Sequence, residues 1–462
     1  MMISTETPRH KLRRVLVRLL KGVAAFLLVV VLVLAGAYAY YGWQVGKRVA
    51  ALRRAGEPVY LEEVKVPEVT EKENAWGDYV RLFHLREDGS GPRLRRVGEL
   101  SERQLKTLDS FGPTDDEQRK LRHAPAVRRT IAALEAASRK PRMAAPITFE
   151  DGWVNDRDVS KLCVCGRICQ NQARAAALEG DVAQAGELLL VALRIAGQLA
   201  QRPTVMAQAM ARNVYRAIVD SGEQILASGT IPALQSKQLR RELDLQRSRL
   251  TMGWQRALPT ERAEKMSLYR SFEWQRKDAL CYPYWELVFP CYGRSDNVPG
   301  TIGYSLANIA PYWRRQQMIT LDMLQRLTPL AQAPAEHLTE LVAMRNSLDK
   351  QSIDIATGLS HALAATIIHS QVAQLRMDQF SVALALNDYY REHGRYPERL
   401  GELPQPLPGD VLSGEAFRYR RVGAKYLLYA IGADRRDDGG KGPKPRQADQ
   451  AGDWVWETER RR

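Results

Sequence analysis

Residues 22–41, GVAAFLLVVVLVLAGAYAYY, decide the fold because they form an uncharged and mostly apolar run of twenty residues. At a rise of 1.5 Å per residue, a helix of this length spans roughly 30 Å, which matches the hydrocarbon core of a bilayer. No other segment of the sequence combines this length with this apolar character. The run therefore predicts one transmembrane helix, with residues 22–43 as the segment that contacts the inner membrane.

The flanks of this run predict its orientation. Six basic residues precede it, four follow it, and four aromatic residues mark its far end: Arg9, Lys11, Arg13, Arg14, Arg18 and Lys21; Lys47, Arg48, Arg53 and Arg54; Tyr38, Tyr40, Tyr41 and Trp43. The flank richer in Lys and Arg stays in the cytoplasm, and aromatic residues favour the membrane interface. We therefore expect a single-pass protein of the inner (cytoplasmic) membrane, with residues 1–21 as a cytoplasmic tail and the bulk of the chain periplasmic or extracytoplasmic.

A cleaved signal peptide is the alternative to a permanent anchor. Its apolar region is typically 7–15 residues long and is followed by a small-x-small cleavage site. Ala35-Gly36-Ala37 resembles such a site, but the apolar run is longer than that of a signal peptide. An uncleaved signal-anchor is therefore the favoured interpretation.

The formal net charge of +15 exceeds what the tail contributes, so the exported part is also basic. This charge favours acidic lipids or acidic glycans as neighbours. The alternative is an arginine-rich surface that is simply solvated. Nucleic-acid binding is not expected, because the sequence has no zinc finger, RNA-binding signature or phosphate-binding Gly-rich loop.

Residues 46–365 are rich in Ala, Leu, Gln, Arg and Glu and are interrupted by Gly and Pro, which predicts an α-helical envelope domain of stacked hairpins. The clearest hairpin spans residues 167–200, with a turn at residues 177–181. Residues 87–98 contain Gly, Pro, Ser and Asp and are predicted to form an exposed loop.

Residues 267–313 are unusually aromatic, and two interpretations compete. The aromatic residues could form an interaction surface for sugars or partner proteins, with Trp274, Tyr282, Tyr284, Trp285 and Tyr292 as candidates. They could instead cover the helical core. Cys281 and Cys291 bracket the segment, and thiols outside the inner membrane tend to be oxidised. We therefore predict a disulfide between these two cysteines.

The familiar catalytic motifs are missing from the sequence: it has no HExxH, GxSxG, Walker A or helix-opening GxGxxG. The remaining cysteines, Cys163, Cys165 and Cys169, lack the spacing of a zinc site and are expected to be core residues. No catalytic residue and no organic cofactor site is therefore predicted.

Residues 366–462 predict a small α+β module. An apolar stripe of Val372, Leu375, Val382, Leu386 and Tyr389 indicates a long amphipathic helix. Residues 417–421 and 425–431 have the composition of β-strands, and a third strand is predicted at residues 454–457. The predicted fold is thus mainly α after one transmembrane helix, with a long helix on a three-stranded antiparallel sheet at the C-terminal end.

Four separated stretches of this module resemble the globular domain of the major pseudopilin of type II secretion systems. They are LNDYYREHGRYP at residues 386–397, FRYR at 417–420, IGAD at 431–434, and Ala448-Asp449 shortly before Trp454. The resemblance implies a pilin-like module with a calcium ion in the loop between the last two strands. The chain lacks a prepilin-peptidase signature and an acidic residue in its anchor. The whole arrangement also resembles uncharacterised membrane-anchored envelope proteins of planctomycete-like bacteria.

The residues of that loop also make a case for calcium by themselves. Four aspartates lie within sixteen residues: Asp434, Asp437, Asp438 and Asp449. Calcium takes six to eight oxygen ligands from carboxylates and carbonyls, and backbone carbonyls near Ile431 would complete such a shell. Asp434 and Asp449 match the positions of the family's pattern. The alternative is a solvated loop in which neighbouring Arg and Lys residues balance the acids.

Three functions fit these features. The favoured one is a non-enzymatic, membrane-anchored envelope scaffold or interaction protein, linked to secretion or envelope assembly through protein partners. The first alternative is an envelope hydrolase acting on wall or surface polymers, and the second is a binding module for acidic glycans.

Overall fold

The computed structural model describes residues 8–65, 68–88, 91–109, 115–144, 148–150, 153–155, 157–274, 310–332, 336–348, 355–432, 436–442 and 452–456. Twelve α-helices lie within these ranges. They are α1 (Pro8–Arg54), α2 (Trp76–Leu82), α3 (Glu102–Asp109), α4 (Asp115–Arg122), α5 (Pro125–Ser138), α6 (Arg157–Leu178), α7 (Val182–Ala200), α8 (Val205–Ser228), α9 (Ala233–Trp274), α10 (Ala310–Gln332), α11 (Leu338–Leu348) and α12 (Ile355–His393). The prediction of a mainly helical chain is confirmed.

The β-structure consists of two hairpins and one small sheet. The strands are β1 (Phe83–Asp88), β2 (Gly91–Val97), β3 (Thr148–Glu150), β4 (Trp153–Asn155), β5 (Arg418–Val422), β6 (Lys425–Ala430) and β7 (Trp454–Val455). The C-terminal sheet is antiparallel in the order β5-β6-β7, as predicted. The prediction of a loop at residues 87–98 is wrong, because β2 pairs with β1 in an antiparallel hairpin. The strand was not predicted because Leu94 and Val97 are three residues apart and break the usual alternation, and the pairing accommodates this spacing with a register shift between His84 and Leu85.

Helix α1 is 47 residues long and includes the whole apolar run. Its large apolar side chains are exposed along the run; Phe26, for example, is 67% exposed and Val33 is 64% exposed. It is long and apolar enough to serve as a membrane anchor. Helix α7 passes the same test of length and hydropathy, but its apolar side chains are buried in the core.

The core of the body forms around α6, α7, α8, α9 and α12. Gly180 has a positive φ of 83°, and the Asp181 side chain caps α7 by accepting a hydrogen bond from Gln184 N, so the chain reverses between α6 and α7 where the sequence predicts a turn. Close packing depends on small residues. A Cβ atom on Gly222 of α8 would lie 2.6 Å from the Phe380 ring of α12, so only glycine permits this approach.

The three cysteines of α6 are buried and free, as expected of core residues. Burial raises the pKa of the Cys169 thiol to about 12 and that of Cys165 well above its ordinary value. These thiols are therefore protonated and protected from solvent, and they pack as small apolar side chains.

A second, smaller core joins the end of α1 to the body. Val45 of α1 is buried against Met266 of α9 and Leu321 of α10. Beside this contact, Arg48 Nη2 donates to Asp322 Oδ2 over 2.8 Å and Arg48 Nε donates to Asp322 Oδ1 over 2.5 Å. The apolar helix is thus docked directly on the body.

Helix α12 continues without interruption across residues 365 and 366, where the sequence suggests a domain boundary. Apolar side chains of α12 and of the C-terminal sheet belong to the same core as those of α6 to α9. The C-terminal residues therefore pack against the helical body as well as against one another.

Candidate functional site

The C-terminal sheet brings together the two ends of the acidic loop. Strand β6 pairs with β7 through Tyr429 opposite Val455 and Ala430 opposite Trp454. Because the loop leaves at Ile431 and returns at Asp453, its two ends lie side by side at one edge of the sheet. The aspartates predicted as calcium ligands all belong to this closed loop.

Asp453 is the most unusual carboxylate in the described part of this loop. The residue is only 1% exposed, its N–H donates to Lys441 O over 2.9 Å, and its Oδ2 accepts from Gly440 N over 2.7 Å. Its other oxygen, Oδ1, is buried and has no hydrogen-bond partner among the described residues. A buried acceptor without a partner needs a physical explanation, and a bound cation is one.

The charges around Asp453 also favour a bound cation. Burial, together with the negative charges of Asp437 and Asp438, raises the pKa of the Asp453 carboxyl, although hydrogen bonds from the backbone of Gly440 and of Asp438 oppose this effect. A carboxylate in this environment is destabilised when it is ionised. A divalent cation beside Asp453 would remove that cost.

Asp437 lies in a different environment within the same cluster. Its Oδ1 accepts from Gly439 N and from the Tyr429 hydroxyl, each over 3.0 Å, and its Oδ2 lies 3.5 Å from Arg418 Nε. These contacts, led by the Gly439 hydrogen bond, lower the pKa of Asp437. Asp437 is therefore ionised and held in a fixed orientation next to Asp453.

The predicted ligands divide into described and undescribed residues. Asp437, Asp438 and Ile431 are described, whereas Asp434 and Asp449 lie outside the described residues. Ile431 N donates to the buried carboxylate of Asp410 over 3.1 Å, which fixes the start of the loop. Within the described ranges, no group of three or more His, Cys, Asp or Glu residues is arranged to hold a metal ion. The calcium site therefore stays a prediction from the sequence.

Asp453 was not predicted as a calcium ligand from the sequence, although its position in the sequence could have indicated it. The residue directly precedes β7, as Ile431 directly follows β6, so strand pairing must place the two near each other. Hard cations prefer carboxylate oxygens, and the partnerless Oδ1 of Asp453 suits one. The residues present fit calcium, with Asp453 added to the predicted set and Asp437 and Asp438 nearby. A bound ion would supply charge neutralisation there.

The edge of the sheet that carries this loop is fixed to the body by α12. Trp456 stacks on Phe380 with ring centroids 5.6 Å apart, and Gln379 Nε2 donates to Trp454 O over 2.5 Å. Arg376 Nη1 donates to Val455 O over 3.4 Å. Residues 454–456 are therefore held by three side chains within about one turn of one helix, and the loop is presented from a rigid base.

A small open cleft lies between α8, α12 and the β5–β6 turn, lined in part by Asn387, Tyr396 and Tyr426. The Asn387 side chain is engaged in the fold: its Nδ2 donates to Ile231 O over 3.0 Å and its Oδ1 accepts from Ile231 N over 3.2 Å. Burial raises the pKa of Tyr426 well above its ordinary value. Asn387 and Tyr426 thus serve packing in this cleft.

The predictions on the aromatic segment lie mostly outside the described residues. Trp274 is the last residue of α9, while the remaining members of the set fall between the described ranges: Tyr282, Tyr284, Trp285, Tyr292, Cys281 and Cys291. The interaction surface and the disulfide therefore stay predictions from the sequence.

No protein-family model matches the sequence, and comparisons with curated proteins and with solved structures gave no significant match.

Proposed function

We propose that this chain is a non-enzymatic, membrane-anchored scaffold or interaction protein of the bacterial cell envelope. One observation carries the proposal: α1 runs without a break from the apolar run into the body and is docked there by Val45 and by the Arg48–Asp322 ion pair. Val45 and Arg48 follow the alternative cleavage site Ala35-Gly36-Ala37, so this docking would survive cleavage, and it is the length of the apolar run that favours an uncleaved anchor. A permanent anchor that is docked in this way sets the position of the body.

The charge distribution supports an extracytoplasmic body. The basic tail precedes the apolar run, and the aromatic residues at the far end of the run, Tyr38, Tyr40, Tyr41 and Trp43, lie on the side of the body. With this orientation, residues after 60 lie outside the inner membrane, in the compartment where the predicted disulfide could form.

The C-terminal loop supports a role in contacts with other proteins. Its exposed acidic residues Asp437 and Asp438 stand on a sheet edge that α12 holds in place. The resemblance to the major pseudopilin of type II secretion systems suggests that the partners belong to secretion or envelope assembly. Calcium bound in the loop would order the surface that such partners meet.

Reporter fusions in the native membrane test the topology. An exported reporter joined after residue 60 should be active, whereas the same reporter joined within the first 21 residues should be inactive. Activity of a cytoplasm-only reporter after residue 60 would overturn the orientation and with it the proposed location.

Cross-linking in intact cells, followed by purification in detergent, tests the scaffold role. We expect the wild-type chain to capture a defined set of envelope proteins, and the double variant Asp437→Ala/Asp438→Ala to lose them. The control is Arg129→Gln on α5, which changes one member of an exposed ion pair and should capture the same proteins as the wild type. Hydrolysis of wall polymers by the purified chain, without captured partners, would favour the hydrolase alternative instead.

A further inference from the structure

Strand β5 is an edge strand of the C-terminal sheet, because the strand order is β5-β6-β7. Its pairing with β6 runs from Arg418 opposite Tyr429 to Val422 opposite Lys425. An edge strand presents a row of backbone N–H and C=O groups on its other side, and such a row can pair with another extended chain. The free edge of β5, residues 418–422, is therefore a candidate docking surface.

The pairing of β6 with β7 fixes the direction of the backbone groups of β6. Trp456 N donates to Leu428 O over 2.9 Å, so the backbone groups of Leu428 point to β7. These groups alternate in direction along an antiparallel strand, so those of Leu427 and Tyr429 point the other way, to β5. The register of β5 then decides which of its residues hydrogen-bond to β6.

Two residues of β5 point their backbone groups away from the sheet. Arg418 lies opposite Tyr429, so Arg418 and Arg420 form the hydrogen bonds to β6. The N–H and C=O groups of Tyr419 and Arg421 therefore point to the free edge. Within the described part of the chain, no other backbone group bonds to these four groups. They are available to an added strand.

The outer face of β5 combines positive charge with exposed apolar surface. Because side chains alternate along a strand, Arg418, Arg420 and Val422 share this face. Arg418 pairs with Glu415 over 2.6 Å, whereas Arg420 is exposed and has no ion pair among the described residues. Val422 is 51% exposed. An unpaired cation thus lies two residues from an exposed apolar side chain, beside the outward backbone groups.

We propose that the free edge of β5 binds an extended segment of a partner protein, which adds to the sheet as a fourth strand. Its acidic residue lies beside Arg420, and an apolar residue two positions away lies beside Val422. Strand addition gains affinity from main-chain hydrogen bonds and specificity from alternate side chains. The inference deepens the proposed scaffold role and rests on it, since it names the surface on which a partner docks.

A second copy of the chain is less suited to this edge. Antiparallel pairing of two β5 strands would bring Arg418, Arg420 and Arg421 of both copies together, and like charges on neighbouring strands are destabilising. Charged side chains on an edge strand are one means by which proteins prevent such self-association. The charge of β5 therefore favours an acidic partner.

The first experiment measures peptide binding to the purified full chain in detergent by fluorescence anisotropy. The probe is a fluorescein-labelled peptide, Thr-Val-Thr-Glu-Thr-Val-Thr, which has Glu between two Val residues on one face and reads the same in both directions. The wild-type chain should bind it about fivefold more tightly than the same peptide with Lys for Glu, the change that corresponds to ~1 kcal/mol for a cross-strand charge pair.

Arg420→Glu should reverse this preference, and because Arg420 is exposed, the variant should fold normally. A wild-type chain that binds neither peptide, or binds both equally, overturns the inference.

The second pair of variants tests the backbone groups. Arg421→Pro removes one outward N–H, and proline is tolerated in an edge strand when its nitrogen faces the free side. Arg421→Gln is the matched control, because it loses the same ion pair with Glu398 but keeps the N–H. Arg421→Pro should lose peptide binding, whereas Arg421→Gln should retain it. Equal binding by the two variants overturns strand addition.

Cross-linking in intact cells separates this inference from the scaffold role. Arg421→Pro should lose the envelope proteins that Arg421→Gln captures. Wild-type capture by Arg421→Pro would overturn the docking edge and leave the scaffold role intact, whereas a wild-type chain that captures nothing contradicts the scaffold role itself. A wild-type dimer in detergent that Arg421→Pro dissociates would assign the edge to a second copy and also overturn the inference.

Discussion

Arg376 of α12 forms an ion pair with Glu223 of α8, and both side chains are almost fully buried, with exposures of 6% and 4%. The same guanidinium lies 5.4 Å from the Trp456 ring centroid, and Arg376 Nη1 also donates to Gln379 Oε1 over 2.6 Å. One side chain thus connects the C-terminal sheet, α12 and the helical body. The connection explains why the C-terminal residues share the core of the chain.

Removing one partner of this ion pair should destabilise the whole chain. Arg376→Met leaves the Glu223 carboxylate buried without its counter-charge, and breaking a buried pair in this way costs about 3–5 kcal/mol of unfolding free energy. The double variant Arg376→Met/Glu223→Leu removes both charges and should recover most of that loss. Thermal or denaturant unfolding of the full chain in detergent measures both effects.

The exposed pair Arg129–Glu99 provides the control, because Arg129→Gln should leave the unfolding midpoint unchanged. A single transition is expected in every case, since the sheet and the helices share one core. If the C-terminal residues unfolded in a separate, earlier transition, the Arg376–Glu223 pair would not join the sheet and the helices into one cooperative unit.

The elements predicted from the sequence are those encoded by local patterns. The apolar run of α1, the turn at Gly180 and the alternating strands β5 and β6 depend on neighbouring residues, so the sequence reveals them. The Arg376–Glu223 pair joins residues 153 positions apart, and nothing local marks it. For the same reason Asp453 was missed: its burial results from strand pairing, whereas Asp437 and Asp438 were found because they adjoin each other in the sequence.

Asp378 should make the stability of the chain depend on pH. Burial raises the pKa of this carboxyl to about 6, although Arg247 Nε donates to it over 3.0 Å and opposes the shift. Because the folded-state pKa lies above the unfolded value, the resulting stabilisation is present below pH ~4 and is lost as the pH rises through about 6. Between pH 4 and 7 the wild-type chain should lose about 2 kcal/mol relative to Asp378→Asn.

Unfolding midpoints of the two proteins across this pH range measure the difference. Asp116→Asn, which replaces an exposed carboxylate of α4, should keep the wild-type profile. Parallel pH profiles for the wild type and Asp378→Asn would show that Asp378 does not titrate in this range.

A disulfide between Cys281 and Cys291 is expected in protein isolated from its native envelope. The loop it would close has nine intervening residues, and closing it stabilises the chain by roughly 2–3 kcal/mol in the chain-entropy model. Peptide mapping without reduction should find the two cysteines linked. The buried free thiols Cys163, Cys165 and Cys169 are internal controls that should react with alkylating reagent only after unfolding. Alkylation of both Cys281 and Cys291 before reduction would rule the disulfide out.

Calcium should stabilise the folded chain through the C-terminal loop. An ion that binds only the folded state adds about 2.7 kcal/mol at a hundredfold excess over its Kd. Because the loop shares a core with the body, this energy acts on the unfolding of the entire chain, and the midpoint should rise by about 3 °C. The measurement compares thermal unfolding of the full chain in millimolar calcium and in chelator, and equilibrium dialysis should find one ion bound per chain.

Substitutions in the loop separate a calcium site from a solvated acidic cluster by the sign of their effects. Asp434→Ala and Asp449→Ala should abolish the response to calcium, whereas Asp116→Ala on α4 should retain it.

Asp453→Asn should also abolish the response, yet in chelator it should raise the unfolding midpoint above that of the wild type. The reason is that Asp453 Oδ1 is buried without a partner beside the charges of Asp437 and Asp438, so neutralising this carboxyl removes the cost that calcium would otherwise offset. If the wild-type midpoint is identical in calcium and in chelator, the loop is a mixed-charge surface, and the metal assignment is wrong.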